Sequence, residues 1–304
     1  MSDEIKVYHS LAELYGALGG ALAADELPFA AGRLETLHPA PMASPLFRAN
    51  YYSIVIVRSG GGRYLIDSHS YETRPGTIYF TNPGHIKGFE LRERTEGYVI
   101  TFAESFLKRY VHVGALDEFP FLIAEIAPPQ YVDPPVLALF DGLAGQLLEE
   151  FGRPSRYRAQ ILGALTRIIL LKIKELFWNG YDPLDEAGSG SQIVAAFKRN
   201  LEAHVRDLAA GRAESLGQVQ DFARLQQLHP NYFSTVIKRK TGKPVQAWIA
   251  EKLVAEAQAL LARSPLAVQE IAALLAFKES GHFARFFKKH TGLTPSAFRA
   301  AQRG

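Results

Sequence analysis

The sequence predicts an α+β protein of two domains, with a β-rich N-terminal domain followed by helices and an all-α C-terminal domain. Three observations support this class. Short β-branched and aromatic runs alternate with turn residues up to about residue 125, and helical apolar spacing begins after them. In addition, residues 232–242 and residues 282–292 share one pattern of apolar and basic side chains, at an offset of 50 residues. The predicted boundaries are a β-rich domain at 1–130, a helical pair at 131–180, a flexible linker at 181–192 and a helical domain at 193–304.

Four runs in the first domain have the composition of strands, at residues 51–57, 63–67, 77–81 and 97–102. They are bounded by turn residues such as Gly60-Gly61-Gly62, Pro75-Gly76 and Asn82-Pro83-Gly84. Short strands separated by turns at intervals of about 8–12 residues are typical of a small sandwich or barrel.

Two segments with helical apolar spacing follow, at residues 136–151 and 157–177. They could cover the β-rich domain or pair with a second copy of the chain. The polar, glycine-rich stretch after them predicts the linker.

Composition and charge limit the function. The absence of cysteine excludes disulfides, thiolate zinc sites and cysteine nucleophiles. The net charge of +3 conceals an asymmetry, because residues 193–304 carry 17 basic and 8 acidic side chains, whereas the first 192 residues carry 17 and 23. A basic domain joined to an acidic one suggests that the C-terminal part binds a polyanion.

The N-terminus lacks the pattern of a secretory signal, and no apolar run reaches the roughly 18 residues that span a bilayer. We therefore expect a protein of the bacterial cytoplasm, associated with the nucleoid and without a membrane partner.

The repeat lies at residues 232–242 and 282–292. Each copy has one apolar face and ends in basic residues followed by Thr-Gly, which predicts a helix stopped by glycine. A short helix is predicted before each copy, at 216–226 and 265–275, the second with Ser264-Pro265 at its start. Two short helices joined by a tight turn, with a basic face on the second, form a helix-turn-helix unit.

The two units are separated by an apolar-striped segment at residues 244–262, which predicts a connecting helix. At 1.5 Å per residue such a helix spans roughly 27 Å. It could place the two recognition helices about one DNA turn apart, which is about 34 Å.

This C-terminal pattern resembles that of the AraC/XylS family of bacterial regulators, over about residues 193–304. The resemblance rests on residues in both units: Phe222-Ala223, Asn231-Tyr232-Phe233, Lys238, Gly242, Ala257, Leu260-Leu261, Ile271-Ala272, Phe277, Phe283, Phe287-Lys288-Lys289, Gly292, Thr294-Pro295 and Phe298-Arg299. Two positions depart from the family pattern, because the family usually has glycine at Ala276 and arginine at Lys252.

Residues 51–102 resemble the cupin-like N-terminal domain often found in this family. The matching residues are Gly60-Gly61-Gly62, Ile66-Asp67, Pro75-Gly76, Asn82-Pro83-Gly84-His85 and Gly97-Tyr98. Metal-binding cupins carry a His-x-His pair near the first strand, but here Arg48 occupies that neighbourhood and only His85 remains. We therefore predict neither a metal nor a cofactor.

Helical spacing predicts which side chains of the recognition helices meet DNA. The predicted base-reading residues are Asn231, Ser234, Thr235, Ser280 and Arg285. The predicted phosphate-binding residues are Lys238, Arg239, Lys240, Lys288 and Lys289. For any one lysine the alternative is a favourable charge at a helix C-terminus.

In the N-terminal domain, a pocket for a small anionic or aromatic effector is predicted at Arg48, Tyr52, Tyr64, Tyr79 and His85. The alternative is that the tyrosines only pack the barrel and that Arg48 forms a surface ion pair.

The sequence therefore predicts a sequence-specific regulator of transcription that binds double-stranded DNA and is not an enzyme. Its activity would be modulated by a small effector or by dimerisation, and RNA polymerase is a further candidate partner. One alternative is a metal-independent cupin-like ligand-binding or enzymatic protein with a helical appendage that binds a partner. Another is an adaptor that has lost DNA recognition.

Overall fold

The computed structural model describes residues 5–8, 10–18, 27–67, 69–123, 127–179 and 189–301. The chain divides into two compact units, one of residues 1–111 and 119–181, the other of residues 112–118 and 182–304. The first holds two β-sheets and the second is built from helices, so the predicted α+β class is confirmed. Within the described residues, no helix is long and apolar enough to cross a membrane.

Eleven strands in the described residues form two sheets. In chain order, β1 to β11 are Lys6–Tyr8, Phe29–Arg33, Met42–Ala43, Phe47–Ala49, Tyr52–Ser59, Gly62–Ile66, His69–Thr73, Thr77–Thr81, Lys87–Leu91, Glu96–Phe102 and Gln130–Tyr131. One sheet has the order β1-β4-β9-β6-β7, with β3 paired to β9, and the other has the order β11-β8-β5-β10-β2. The four predicted strands are confirmed as β5, β6, β8 and β10.

The central strand β5 shows how each face of a sheet is used. It pairs with β8 on one side and β10 on the other, and its side chains alternate between the two faces. Ser53, Val55 and Val57 face the space between the sheets. Tyr52 points to the opposite face, where its ring centroid lies 5.7 Å from that of Phe102.

Helices α1 to α6 are Leu11–Ala17, Leu34–Leu37, Glu104–Phe106, Ala115–Glu118, Pro134–Gly152 and Arg158–Phe177. The last two are the predicted helical pair. Helix α5 packs on the sheet that contains β10. The hydroxyl of Tyr98 on β10 donates to Asp141 Oδ1 on α5 at 3.0 Å. The rings of Phe29 on β2 and Phe151 on α5 lie 5.8 Å apart. Helix α5 therefore covers its own β-sheet, which was one of the two roles considered for the helical pair.

Helices α7 to α13 are Ser189–Ala209, Val219–Leu225, Pro230–Thr241, Val245–Arg263, Val268–Leu274, Ser280–Thr291 and Pro295–Ala301. Helices α8 and α9 form the first helix-turn-helix unit, α11 and α12 form the second, and α10 is the predicted connecting helix. The predicted linker needs correction, because residues 189–192 already belong to α7. Residues 181–188 of that linker lie outside the described residues.

A shared apolar core holds both helix-turn-helix units. In the first unit, the ring of Phe197 on α7 lies 5.5 Å from Phe222 and 5.4 Å from Phe233, in both cases edge-on. Ala223 and Ala272 are fully buried on the two short helices, where a small side chain allows another helix to pack closely. The helix α7 thus supplies core residues that the repeat alone does not contain.

Two helix ends lie where the sequence predicts them, and a third does not. Gly242 and Gly292 end α9 and α12 with φ of 74° and 78°, the left-handed conformation that glycine adopts without strain. Ser264 does not cap α11 as predicted. Its hydroxyl instead donates to Leu260 O at 2.8 Å, at the end of α10, and Ala267 becomes the residue before α11.

Lys252, one of the two departures from the family pattern, lies buried on α10. Its Nζ donates to Glu202 Oε2 of α7 at 2.7 Å, and both side chains are at most 5% exposed. This buried ion pair joins the connecting helix to α7. Ala276, the other departure, has φ of 59°, and Gln227 at the matching turn of the first unit has φ of 56°.

Candidate nucleic-acid interface and internal cavity

The outer face of α9 is polar and basic. Phe233, Val236 and Ile237 are buried, so helical geometry turns the opposite face outward. The side chains exposed there are Asn231, Tyr232, Thr235, Lys238 and Arg239. This face begins with hydrogen-bonding groups and ends in cations.

The outer face of α12 has the same geometry with different chemistry. Phe283 and Phe287 are fully buried and anchor the helix. The residues exposed on the other side are Ser280, Gly281, His282, Arg285, Lys288 and Lys289. With the offset of 50 residues, Asn231 corresponds to Gly281, Thr235 to Arg285 and Lys238 to Lys288.

Neither recognition helix contains an acidic residue. Among the described residues, no protein group forms a hydrogen bond or an ion pair with the cationic ends of five side chains: Lys238, Arg239, Arg285, Lys288 and Lys289. Cations left unneutralised on one exposed face create a positive potential that attracts a polyanion.

The ten predicted DNA-contacting residues all lie on α9 and α12, and eight of them are exposed. Ser234 and Lys240 are half-buried at the edge of the exposed face. The Thr235 hydroxyl donates to Asn231 O at 2.8 Å, which leaves its oxygen available as an acceptor.

Tyr232 was not assigned to this surface, although 51% of it is exposed. The sequence contained the signal, because position 232 lies outside the apolar spacing of 233, 236 and 237. An exposed aromatic ring at the start of α9 adds an apolar contact group to an otherwise polar face.

The N-terminal unit contains a partly open cavity of about 100 Å³ between its two sheets. Its walls come from both sheets and from α1 and α2. The lining residues are Leu14, Tyr15, Leu18, Leu34, His38, Phe47, Ala49, Ser53, Val55, Val57, Arg63, Tyr64, Thr73, Tyr79, Thr81, Lys87, Gly88, Phe89, Leu91, Thr95, Val99 and Thr101.

Two of the five predicted pocket residues, Tyr64 and Tyr79, lie in the wall of this cavity. Their rings are stacked with centroids 4.4 Å apart. Burial raises the pKa of both hydroxyls, well above the usual range for Tyr64, so both phenols are neutral hydrogen-bonding groups at pH 7.

The structure does not bring Arg48, Tyr52 and His85 to the cavity. Strand alternation turns Tyr52 to the other face of its sheet. The Arg48 guanidinium donates to Gly84 O at 2.6 Å, and His85 Nδ1 lies 2.7 Å from Asp67 Oδ2. These two side chains therefore join strand ends instead of lining a pocket. In the described part of the chain, no three His, Asp or Glu side chains are grouped to hold a metal ion.

Two family models match the chain. The model of an AraC-like ligand binding domain matches residues 46–165, which include most of the β-sheets and helix α5. The model of a helix-turn-helix domain matches residues 222–301, which include both recognition helices. The chain belongs to the AraC family of regulators. Its two units thus correspond to the ligand-binding and helix-turn-helix parts of an AraC-type protein.

Among AraC-type relatives, the arabinose operon regulatory protein of Escherichia coli (strain K12) is 22% identical over 261 residues, covering 84% of this chain and 82% of that protein. Two HTH-type transcriptional regulators of Bacillus subtilis (strain 168) match shorter segments. YtdP is 30% identical over 34% of this chain, and YobQ is 28% identical over 40%. The aligned segments span only 14% and 55% of those two proteins.

Among solved structures, ToxT from Vibrio cholerae covers 91% of this chain and is itself covered completely, with 16% identity and a TM-score of 0.36.

Proposed function

We propose that this AraC-family chain is a sequence-specific regulator of transcription that binds double-stranded DNA through α9 and α12. The observation that carries the proposal is the repeated recognition helix without acidic residues, whose exposed cations have no described partner in the protein. Duplex DNA presents a regular array of phosphates, and an α-helix fits its major groove.

Within this proposal, one set of exposed side chains contacts the bases and a second set contacts the phosphates. Asn231, Thr235 and Arg285 lie at the centre of the exposed faces and read base edges, with Ser234 and Ser280 beside them. Arg285 is the strongest candidate, because a guanidinium can bind guanine in a bidentate way. The cations near the helix C-termini bind phosphates and fix the position of the protein. They are Lys238, Arg239, Lys240, Lys288 and Lys289.

The N-terminal unit is proposed to bind a small effector in the cavity between its sheets, and so to modulate DNA binding. No catalytic role is proposed, because the relatives are regulators and the exposed basic faces already account for the chemistry. We place the protein in the bacterial cytoplasm at its DNA targets, with RNA polymerase as the further partner that regulation of transcription requires.

Dimerisation through α6 is part of the same proposal. Ala164, Ile168 and Leu171 are exposed on this helix at spacings of four and three residues. Exposed apolar residues at such spacing form the seam by which two helices pair. A second copy of the chain would cover them and would bring two DNA-binding units together.

The first experiment selects bound duplexes from a random pool with the full-length chain. A motif with two short blocks about one helical turn apart is the expected result. Binding that is weak, blind to sequence and abolished by moderate salt would contradict the proposal.

A pair of charge-reversal variants tests the assigned surface. Lys288→Glu with Lys289→Glu should abolish binding to the selected duplex. The matched control reverses two exposed arginines of the other unit, Arg94→Glu with Arg153→Glu, and should bind as the wild type does. Equal losses in the two variants would show that binding reflects overall charge and not the recognition helix.

A further inference from the structure

The cavity between the sheets contains two buried polar groups that form no hydrogen bond. The Tyr64 hydroxyl and His38 Nδ1 belong to residues of its wall, and neither atom has a partner in the part of the chain that the structure describes. The two residues are only 2% and 8% exposed. Buried polar groups in folded proteins are nearly always hydrogen-bonded. These two atoms therefore indicate that a bound molecule supplies the missing partners.

Tyr64 and His38 are both neighbours of Phe89, which also lines the cavity. Tyr64 on β6 is paired with Phe89 on β9, and the ring centroids of His38 and Phe89 lie 5.1 Å apart. Residues that face each other on antiparallel strands have Cβ atoms about 4.5–5.5 Å apart. One small molecule in the cavity can therefore contact both polar groups.

Both of these polar groups are uncharged at pH 7. Burial lowers the pKa of His38, and burial raises the pKa of the Tyr64 hydroxyl well above its usual range. Two basic side chains of the wall are already engaged, because the Lys87 ammonium donates to the Thr81 hydroxyl and Arg63 pairs with glutamates that do not line the cavity. None of the described lining residues is an aspartate or a glutamate. A charged ligand would lose its hydration in this cavity, whereas a neutral ligand avoids that cost.

The volume of the cavity limits the size of the ligand. It is about 100 Å³, whereas an apolar cavity of about 150 Å³ holds benzene, which has six heavy atoms. The same volume per atom leaves room for about four heavy atoms. Leucine and valine side chains also line the cavity, so one end of a fitting ligand is apolar.

We propose that the cavity binds a neutral molecule of about four heavy atoms, with an apolar end and a group that both donates and accepts hydrogen bonds. Short-chain primary amides and alcohols have this chemistry. The Tyr64 hydroxyl donates to the oxygen of the ligand, and the ligand donates to His38 Nδ1 in the tautomer that carries its proton on Nε2. This rests on the proposed role of the unit as the effector-binding part of the regulator, and it names the chemical class of the effector.

The test compares probes of nearly the same size and shape. Acetamide both donates and accepts hydrogen bonds, acetone only accepts them, and acetate carries a charge, while propan-2-ol represents the alcohols. Each probe is titrated into the full-length protein without DNA, and NMR follows isotope-labelled leucine and valine methyl groups. Acetamide or propan-2-ol should shift methyl signals of the cavity wall, among them those of Val55, Val57 and Val99.

So small a ligand binds weakly, and its dissociation constant should lie between about 40 µM and tens of millimolar. Acetone and acetate should bind several-fold more weakly than acetamide, because acetone cannot donate to His38 and acetate is charged. The inference is overturned if neither acetamide nor propan-2-ol shifts the methyl signals of the wall over that concentration range. It is also overturned if acetate binds as tightly as acetamide.

Variants then locate the site. Tyr64→Phe removes the unpaired hydroxyl and keeps the ring, so it should raise the melting temperature of the free protein and weaken acetamide binding several-fold. Tyr71→Phe is the matched control, because Tyr71 is paired with Tyr64 on β7 but does not line the cavity, and it should bind acetamide as the wild type does. His38→Leu should abolish the preference for acetamide over acetone.

A fall in the melting temperature of Tyr64→Phe would show that the hydroxyl is already hydrogen-bonded in the free protein, and it would overturn the inference. Unchanged acetamide binding by both Tyr64→Phe and His38→Leu would do the same. Should His38→Leu fail to fold, the comparison of acetamide with acetone on the wild type still decides whether the ligand must donate a hydrogen bond. DNA selection separates this inference from the proposed function, because wild-type protein that selects a motif but binds neither acetamide nor propan-2-ol contradicts only the inference.

Discussion

Gly281 provides the sharpest test of how the second unit meets DNA. It is the second residue of α12, it does not have the positive φ that would require glycine, and a Cβ built on it meets no atom within 4 Å. Within the part of the chain that the structure describes, nothing therefore explains a glycine at this exposed helical position. Glycine also allows a backbone to approach a ligand closely, which is the explanation we infer.

The expected effects of Gly281→Ala on stability and on binding have opposite signs. Without strain or steric conflict, the change from glycine to alanine should stabilise the folded state by about 0.4–1 kcal/mol. If DNA approaches the helix backbone here, the added methyl group overpacks the interface at a cost of about 1–3 kcal/mol. That cost corresponds to a dissociation constant about 5- to 160-fold higher.

The assay combines denaturant unfolding with fluorescence anisotropy on the selected duplex. Gly142→Ala is the matched control, because Gly142 is also helical, lies on α5 of the other unit and has no atom within 4 Å of a built Cβ. The control should gain similar stability and bind DNA as the wild type does. Unchanged or tighter DNA binding by Gly281→Ala would refute the close-approach explanation.

Three further predictions concern DNA specificity, turn strain and the buried ion pair. Arg285→Ala should lose about 1–3 kcal/mol of discrimination at one base pair, whereas Lys288→Ala should weaken all duplexes alike and reduce the salt slope by about one. Equal losses on cognate and scrambled DNA would contradict the role of Arg285. Ala276→Gly should stabilise the protein by up to about 1 kcal/mol in urea unfolding, because it relieves a left-handed alanine, and a loss of stability would show that the turn is not strained. Lys252→Met should lower the free energy of unfolding by about 3–5 kcal/mol, because Glu202 then stays buried without this cation. Adding Glu202→Leu should restore most of the lost stability. No recovery in the double variant would show that the buried carboxylate is not the cause of the loss.

The strands and helices that the sequence predicted are those with a strong periodic pattern. Helices α5, α9 and α12 each bury one regular apolar face, whereas β5 is a continuous apolar run that is buried on both faces of its sheet. Strand β9 was missed because its sequence, Lys87-Gly88-Phe89-Glu90-Leu91, puts a lysine and a glycine on buried positions. Its pairing partners lie far away in sequence, so only tertiary structure makes this segment a strand.

The exposed faces of α9 and α12 could be predicted from the sequence, because helix geometry alone decides which residues share a face, while their contact with DNA stays a prediction. The residues that line the pocket could not be predicted in this way, because the register of a strand decides which of its residues face the cavity. Tyr52 and Ser53 are neighbours in the chain, yet only Ser53 lines the cavity. A shift of one residue in the assumed register exchanges the two faces of a strand. Lys87 and His38 were not recognised as cavity residues either, because Lys87 begins a strand without a strand pattern and His38 directly follows the short helix α2.

The two recognition helices share one geometry but differ in what they can read. At the first position of the shared face, α9 carries Asn231 and α12 carries Gly281. At the next, α9 carries Thr235 and α12 carries Arg285. Asparagine can bind adenine in a bidentate way, whereas arginine favours guanine. An interface built from unlike helices on one chain has no internal two-fold symmetry. The two blocks of the DNA site should therefore differ in sequence within one monomer, and any palindrome must arise from the dimer.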